Sequence, residues 1–196
     1  MEYLIQHEIL DGSVEDTAKF FHLTNQLCWQ KVRLYIRERQ DVLEELLKLQ
    51  NYRNQFLPNA LRKFFHAVDS PTSRGDYLTM LIDKFSQRFC ADNPNLHLST
   101  DVVSIVCYSL ILLSVDLSSP HVKNKMSKRE FVRNICRAIH GARNANNQPL
   151  GGNNDHQNVI DRDFAGHLYD NVYLVGHVAP QRWDDNANNL VQSRRH

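Results

Sequence analysis

An all-α fold follows from three observations on this 196-residue chain. Apolar residues recur at three- and four-residue spacing from end to end, and no stretch alternates as a strand would. The apolar-faced segments are short and are separated by polar turns that carry helix-capping residues. One segment, Val102 to Val115, is apolar on nearly every side, broken only by Ser104, Ser109 and Ser114 and bounded by Asp101 and Asp116. It falls short of the ~20 residues that a bilayer crossing needs and reads as a central helix buried on most sides.

Taken in order, Ser13 with Asp16 three residues later predicts an N-cap ahead of a helix from Val14 to Leu23, and a second helix runs from Trp29 through Ile36. Asp41 is placed to cap a third, which carries Val42, Leu43, Leu46, Leu47 and Leu49. From Phe56 to Val68, the residues Leu57, Leu61, Phe64, Phe65 and Val68 share one face. Such short helices joined by short turns predict an orthogonal stack rather than a long bundle. Asp69-Ser70-Pro71-Thr72-Ser73 ends one helix and can cap the next, whose stripe of Tyr77, Leu78, Leu81, Ile82, Phe85 and Phe89 stops at Asn93-Pro94. Ser99 or Thr100 then opens the buried central helix. Ser127 and Glu130 form an S-x-x-E capping box for a helix with Phe131, Ile135 and Ile139 on its buried face and Gly141 as its stop.

Between Gly141 and Arg162 the composition turns to asparagine, glycine and glutamine, too polar to offset the entropy of ordering, so residues 141–162 are expected to form a disordered insert. Order is expected to return at Phe164, with Leu168, Val172, Leu174 and Val175 at helical spacing through His177. After Pro180 the chain is polar, and only Trp183 offers an anchor. The expected organisation is an N-terminal segment (1–13), one domain (14–179) that carries the insert, and a polar tail (180–196).

Composition bounds the function. Hydrophobic residues make up 42%, enough for one core, and 23 lysines and arginines nearly balance 22 aspartates and glutamates, so no global field draws the chain to nucleic acid or to a membrane. The cysteines Cys28, Cys90, Cys107 and Cys136 are far apart with no C-x-x-C pair, as in a reduced intracellular protein, and the acidic N-terminus has no signal-peptide core. A cytoplasmic location is expected, with at most peripheral contact with membranes. None of the ten histidines stands in an H-x-x-x-H or H-E-x-x-H pattern, and the chain has no G-x-S-x-G, P-loop or dinucleotide fingerprint. No metal, no cofactor and no bond-making chemistry are therefore expected.

The stretch LLSVDLSSPHVKNKMSKREFVRN, Leu112 to Asn134, joins the end of the apolar segment to a polar crossing and a capped second helix, an arrangement suited to making a groove. It resembles the second signature of the Sec7 domain, M-L-N-T-D-L-H-x-P-x-V-x-x-K-M followed by F-x-x-N. Leu113, Asp116, Leu117, Pro120, Val122, Lys125, Met126, Phe131 and Asn134 keep that pattern, whereas Ser114, Val115 and Ser118 replace its Asn, Thr and His. Leu61, Arg62, Phe64, Phe85, Arg88, Asn93 and Pro94 match the flanks of the first signature, with Phe65 and Phe89 in place of Leu and Tyr. Between those flanks the chain is one residue longer, and P-G-E becomes Pro71-Thr72-Ser73-Arg74, so the family's catalytic glutamate falls on Ser73 or Arg74. Over long runs the sequence is most similar to the branch in which an F-box precedes the Sec7 domain; no F-box lies in these residues.

The resemblance implies a right-handed superhelix of about ten short helices with a hydrophobic groove that binds an Arf-family small GTPase. It assigns Phe65, Ser114, Asp116, Leu117, Ser118, Val122 and Met126 to the groove, with Lys125, Arg129 and Arg133 as a possible electrostatic patch beside it, while Leu112 and Leu113 read as core. Exchange requires negative charge near the nucleotide phosphates and Mg2+, and serine or arginine does not supply it. Weak or absent exchange is the expectation, with an active exchange factor using Asp69 or Asp76 as the alternative. The F-box branch further implies a substrate-selecting role for a Skp1-cullin ubiquitin ligase, reached only through an F-box. The basic run reads first as a solvated helix face.

Overall fold

The computed structural model describes residues 2–24, 27–68, 75–145 and 160–179. Within them the chain forms nine α-helices and no strand: α1 (Glu2–Gln6), α2 (Val14–Leu23), α3 (Trp29–Glu38), α4 (Gln40–Lys48), α5 (Leu57–Val68), α6 (Asp76–Asp92), α7 (Thr100–Ser118), α8 (Lys128–Ala145) and α9 (Arg162–Val175). A single 3-10 turn, Pro94–Leu96, links α6 to α7.

The capping residues act locally much as the sequence predicts. Ser13 Oγ accepts the Asp16 N–H at 3.1 Å, and of the two candidates for α7 it is Ser99 whose Oγ accepts the Val102 N–H, at 3.3 Å. The capping box of α8 is reciprocal: Ser127 Oγ accepts the Glu130 N–H at 3.3 Å and the Ser127 N–H donates to Glu130 Oε2 at 2.9 Å. The Ser127 hydroxyl, which donates to Glu130 Oε2 at 2.7 Å, and secondarily the Ser127 N–H hold the Glu130 carboxyl below its ordinary pKa. Two expectations fail. Asp41 does not cap α4, because it lies inside the first turn, where Arg39 grips it through Nε at 2.9 Å and Nη2 at 2.7 Å. Gly141 does not end α8, which continues to Ala145; a helical glycine costs only about 1 kcal/mol, and the flanking Ala142 and Arg143 favour helix. The expected insert thus loses both margins to structure, with Ile160 buried and Asp161 standing at the N-cap position of α9, while residues 146–159 and the tail 180–196 lie outside the described residues.

The core is built on aromatic rings. Phe85 sits 5.1 Å from Phe64, 5.2 Å from Tyr52 and 5.8 Å from Phe89, with Phe64 and Phe65 at 5.0 Å, so α5, α6 and the loop before α5 share one apolar cluster. Asn93 staples that loop to the end of α6. Its buried Nδ2 donates to Tyr52 O at 3.0 Å and Phe89 O at 2.9 Å, and its Oδ1 accepts the Asn54 N–H at 2.8 Å. Helix α7 is long and apolar enough by length and composition to cross a bilayer, yet it packs on α5, α6, α8 and α9 as the centre of the fold. Helix α2 packs on α4, which reaches α6, while α8 and α9 pack on each other and on α7.

Candidate functional site

Residues 93–99 join α6 to α7, and the two helices pack together with Ser104 Oγ 3.0 Å from Ser86 Oγ. Leu112 is 43% exposed and Val115 41% exposed, although both belong to the most apolar helix of the chain. With the half-buried Ile105 and Tyr108 they form one stripe at helical spacing. Helix α6 follows directly on residues 69–74. Asp76, the first residue of α6, is exposed there. Ser73 and Arg74, the candidates for the glutamate position, lie outside the described residues.

The residues picked out in the crossing do different work. Asp116 Oδ2 accepts the Met126 N–H at 2.7 Å, and Lys125 Nζ donates to the carbonyls of Asp116, at 2.8 Å, and of Ser119. Lys125 therefore caps the C-terminal end of α7 rather than forming a free electrostatic patch, since its ammonium satisfies end carbonyls at the negative pole of the helix. Arg129 and Arg133 are exposed on α8. Ser114 is buried and fully bonded: its hydroxyl donates to Leu110 O at 2.8 Å and accepts the Val178 N–H at 3.2 Å. Phe65, expected in the groove, is buried against Phe64 instead, because its helix turns that side inward.

Leu117, Ser118 and Met126 do come together, but they face α9. With Tyr169, Tyr173 and His177 they line an open cavity of about 400 Å3 between the α7–α8 crossing and the end of α9. Tyr169 donates its hydroxyl to Met126 O at 2.9 Å to close one side. Val122 lies half-buried in the crossing turn, where its N–H reaches Ser119 O at 3.4 Å. Of the groove residues assigned from the sequence, Ser114, Leu117, Ser118 and Met126 line this cavity, and none lies on the exposed α7 strip, to which Leu112, read there as core, belongs. Periodicity alone missed it because α7 is apolar on nearly all sides; the i, i+3 spacing with Val115 was the available signal.

The end of α9 ties these surfaces to α5. Arg62 donates to Gly176 O at 2.6 Å, His177 O at 3.3 Å, Asn171 O at 3.4 Å and Asn171 Oδ1 at 2.7 Å. Gly176, at a φ of 105° that disfavours other residues, then turns the chain so that Val178 reaches Ser114. His177 is half-buried, and its Nδ1 accepts the Ala179 N–H at 3.0 Å. Burial, and secondarily the Arg62 charge, lower the pKa of its imidazole. Among the described residues no group of three histidine, cysteine or acidic side chains is arranged to hold a metal.

Comparison with known proteins accounts for this architecture. The Sec7 domain family profile matches residues 1–172. F-box only protein 8 from Homo sapiens is 54% identical over 183 residues, covering 91% of this chain and 52% of the relative. Cytohesin-2 from Mus musculus is 24% identical over 197 residues, covering 98% of this chain and 44% of the relative. The chain spans about half the length of these curated relatives. Among solved structures, the Sec7p catalytic domain superposes with a TM-score of 0.71 at 25% identity, covering 87% of this chain and 84% of that one. A Sec7 domain solved with ARF1-GDP and brefeldin A gives 0.71 at 20% identity over 87% of this chain and 80% of that one. The matched profile spans both the capped α7–α8 crossing and the α5–α6 aromatic core, and on that ground this chain belongs to the Sec7 domain family.

Proposed function

We propose that this chain binds an Arf-family small GTPase through the exposed apolar strip of α7 and has weak or no nucleotide-exchange activity of its own. The strip carries the proposal. Leu112 and Val115 stand exposed on an otherwise apolar, largely buried helix that has no packing need for them. Apolar side chains held half-exposed on a helix are suited to a partner's apolar surface. The family relationship supports an Arf-type partner, since one neighbouring fold was solved with ARF1-GDP.

The loss of exchange rests on charge. Weakening a nucleotide's hold requires an anion near its phosphates and Mg2+, and Pro71-Thr72-Ser73-Arg74 supplies none. An arginine there would hold phosphate instead. The similarity to F-box only protein 8 supports a further role as the target-selecting part of an adaptor for a Skp1-cullin ubiquitin ligase. The cellular setting consistent with this role is cytoplasmic.

The test is release of mant-GDP from Arf proteins with the chain added, beside capture of the same GTPases in GDP, GTP and nucleotide-free states. Binding without acceleration is the expected result. Acceleration by the unaltered chain would refute the loss of exchange and favour Asp69 or Asp76 as the acting carboxylate. Ser73→Glu and Arg74→Glu, made singly, should create release if the missing charge is the cause.

A further inference from the structure

Charge is segregated in this molecule. The chain as a whole carries a formal net charge of +1, yet residues 119–145 hold seven cations, from Lys123 to Arg143, against the single anion Glu130. The remainder of the chain is therefore net acidic. Within this basic segment, Lys125 is spent on the end of α7, and Lys128 Nζ is paired with Asp170 Oδ2 at 2.6 Å. The Glu130 carboxylate is turned back onto Ser127 by the capping box. Of the five other cations, Arg129, Arg133 and Arg137 make a row on α8. They lie at i, i+4, i+8 on the face of α8 opposite Phe131, Ile135 and Ile139; all three are exposed, and none forms a salt bridge among the described residues. The row is about 12 Å long.

An apolar corner stands at the end where the row begins. The bonds from Lys128 to Asp170 and from Tyr169 to Met126 O fix the last turns of α9 beside the first turn of α8. One turn beyond Asp170 come Tyr173, Leu174 and Val175, which are 65%, 78% and 63% exposed. Three consecutive large apolar residues so exposed have no role in the core.

We propose that this basic row and its apolar corner form a docking face for an anionic phospholipid bilayer. Arginine forks bind phosphate by paired, charge-assisted hydrogen bonds, and a straight row on one helix face can address a plane of headgroups. Tyrosine and the aliphatic pair supply what a bilayer interface takes and a nucleic acid does not: an aromatic ring at headgroup level and apolar side chains in the acyl boundary. Attachment by a few charges and one small apolar corner is reversible and salt-sensitive.

The test is co-sedimentation of the full chain with vesicles of phosphatidylcholine, with and without phosphatidylserine, at low and at physiological salt. Binding is expected only to vesicles that contain phosphatidylserine, and it should weaken as salt rises. Replacing Arg129→Gln, Arg133→Gln and Arg137→Gln together should lower that affinity by about a hundredfold, roughly fivefold for each cation near an anionic surface. Leu174→Ser with Val175→Ser should lower affinity while leaving the salt dependence as it was. Circular dichroism should show unchanged melting for both variants, because these side chains are exposed. No binding by the unaltered chain, equal binding to both vesicles, or full binding by the triple glutamine variant would each overturn the proposal. Tighter binding of the chain to single-stranded RNA, lost in the same triple variant, would overturn it too and assign the row to nucleic acid.

Discussion

Replacing Arg62 with alanine should loosen the end of α9 from α5. The guanidinium makes four hydrogen bonds to residues 171–177, two of them short, at 2.6 Å to Gly176 O and 2.7 Å to Asn171 Oδ1. It also reaches Asn59 Oδ1 at 3.0 Å within its own helix. A charge-assisted bond contributes about 1.5–3 kcal/mol where it is well shielded, and less where water competes, as it does around this half-buried side chain. The two short bonds carry most of the effect, which gives a loss of about 2–4 kcal/mol for Arg62→Ala. For a domain of this size that corresponds to a fall in Tm of roughly 5–12 °C. Thermal melting and urea titration measure it, and Arg62→Lys should recover less than half, because an ammonium cannot reproduce the fork. A shift below about 0.5 kcal/mol would refute the reasoning, and the end of α9 would then be held by its other bonds and by the burial of Val172, Val178 and Ala179.

Leu112→Asp with Val115→Asp should reduce Arf binding by at least about thirtyfold while changing stability by less than about 1 kcal/mol, since both side chains are substantially exposed; a melting shift as large as that of Arg62→Ala would place them in the core. Ser114→Ala removes the acceptor of the buried Val178 N–H and should cost about 1–3 kcal/mol in urea titration, and no change would mean that water replaces the hydroxyl. Because the fold lowers the pKa of the His177 imidazole, the unfolded chain binds that proton more readily, so stability is full above the ordinary value near 6.5 and falls as pH drops through the lower folded value. Urea midpoints compared between about pH 7.5 and about pH 5 should show a smaller acid loss in His177→Asn than in the unaltered chain; identical slopes would remove His177 from the account.

Much of the fold was legible because helices write local signals. Ser13, Ser99 and the Ser127–Glu130 box each act within four residues of themselves, so their bonds could be read without the rest of the chain. Asp41 failed for a reason equally local, a competing arginine two residues away, and Gly141 because good helix formers outweigh one glycine. The site was harder. Signature residues such as Asp116, Lys125 and Arg62 stand out in sequence, yet they brace the crossing and the end of α9 rather than face a partner. A pattern of residue types records that a position matters and leaves open whether it packs, caps or contacts.

The sequence by itself determined the all-α class, the helix starts and the absence of an acidic residue between Pro71 and Arg74, because periodicity, capping and charge are properties of neighbours along the chain. Only the tertiary structure decided which side of α7 is left bare. A helix apolar all round has no preferred face of its own, and its packing against α5, α6, α8 and α9 is what buries Leu113 while leaving Leu112 and Val115 exposed.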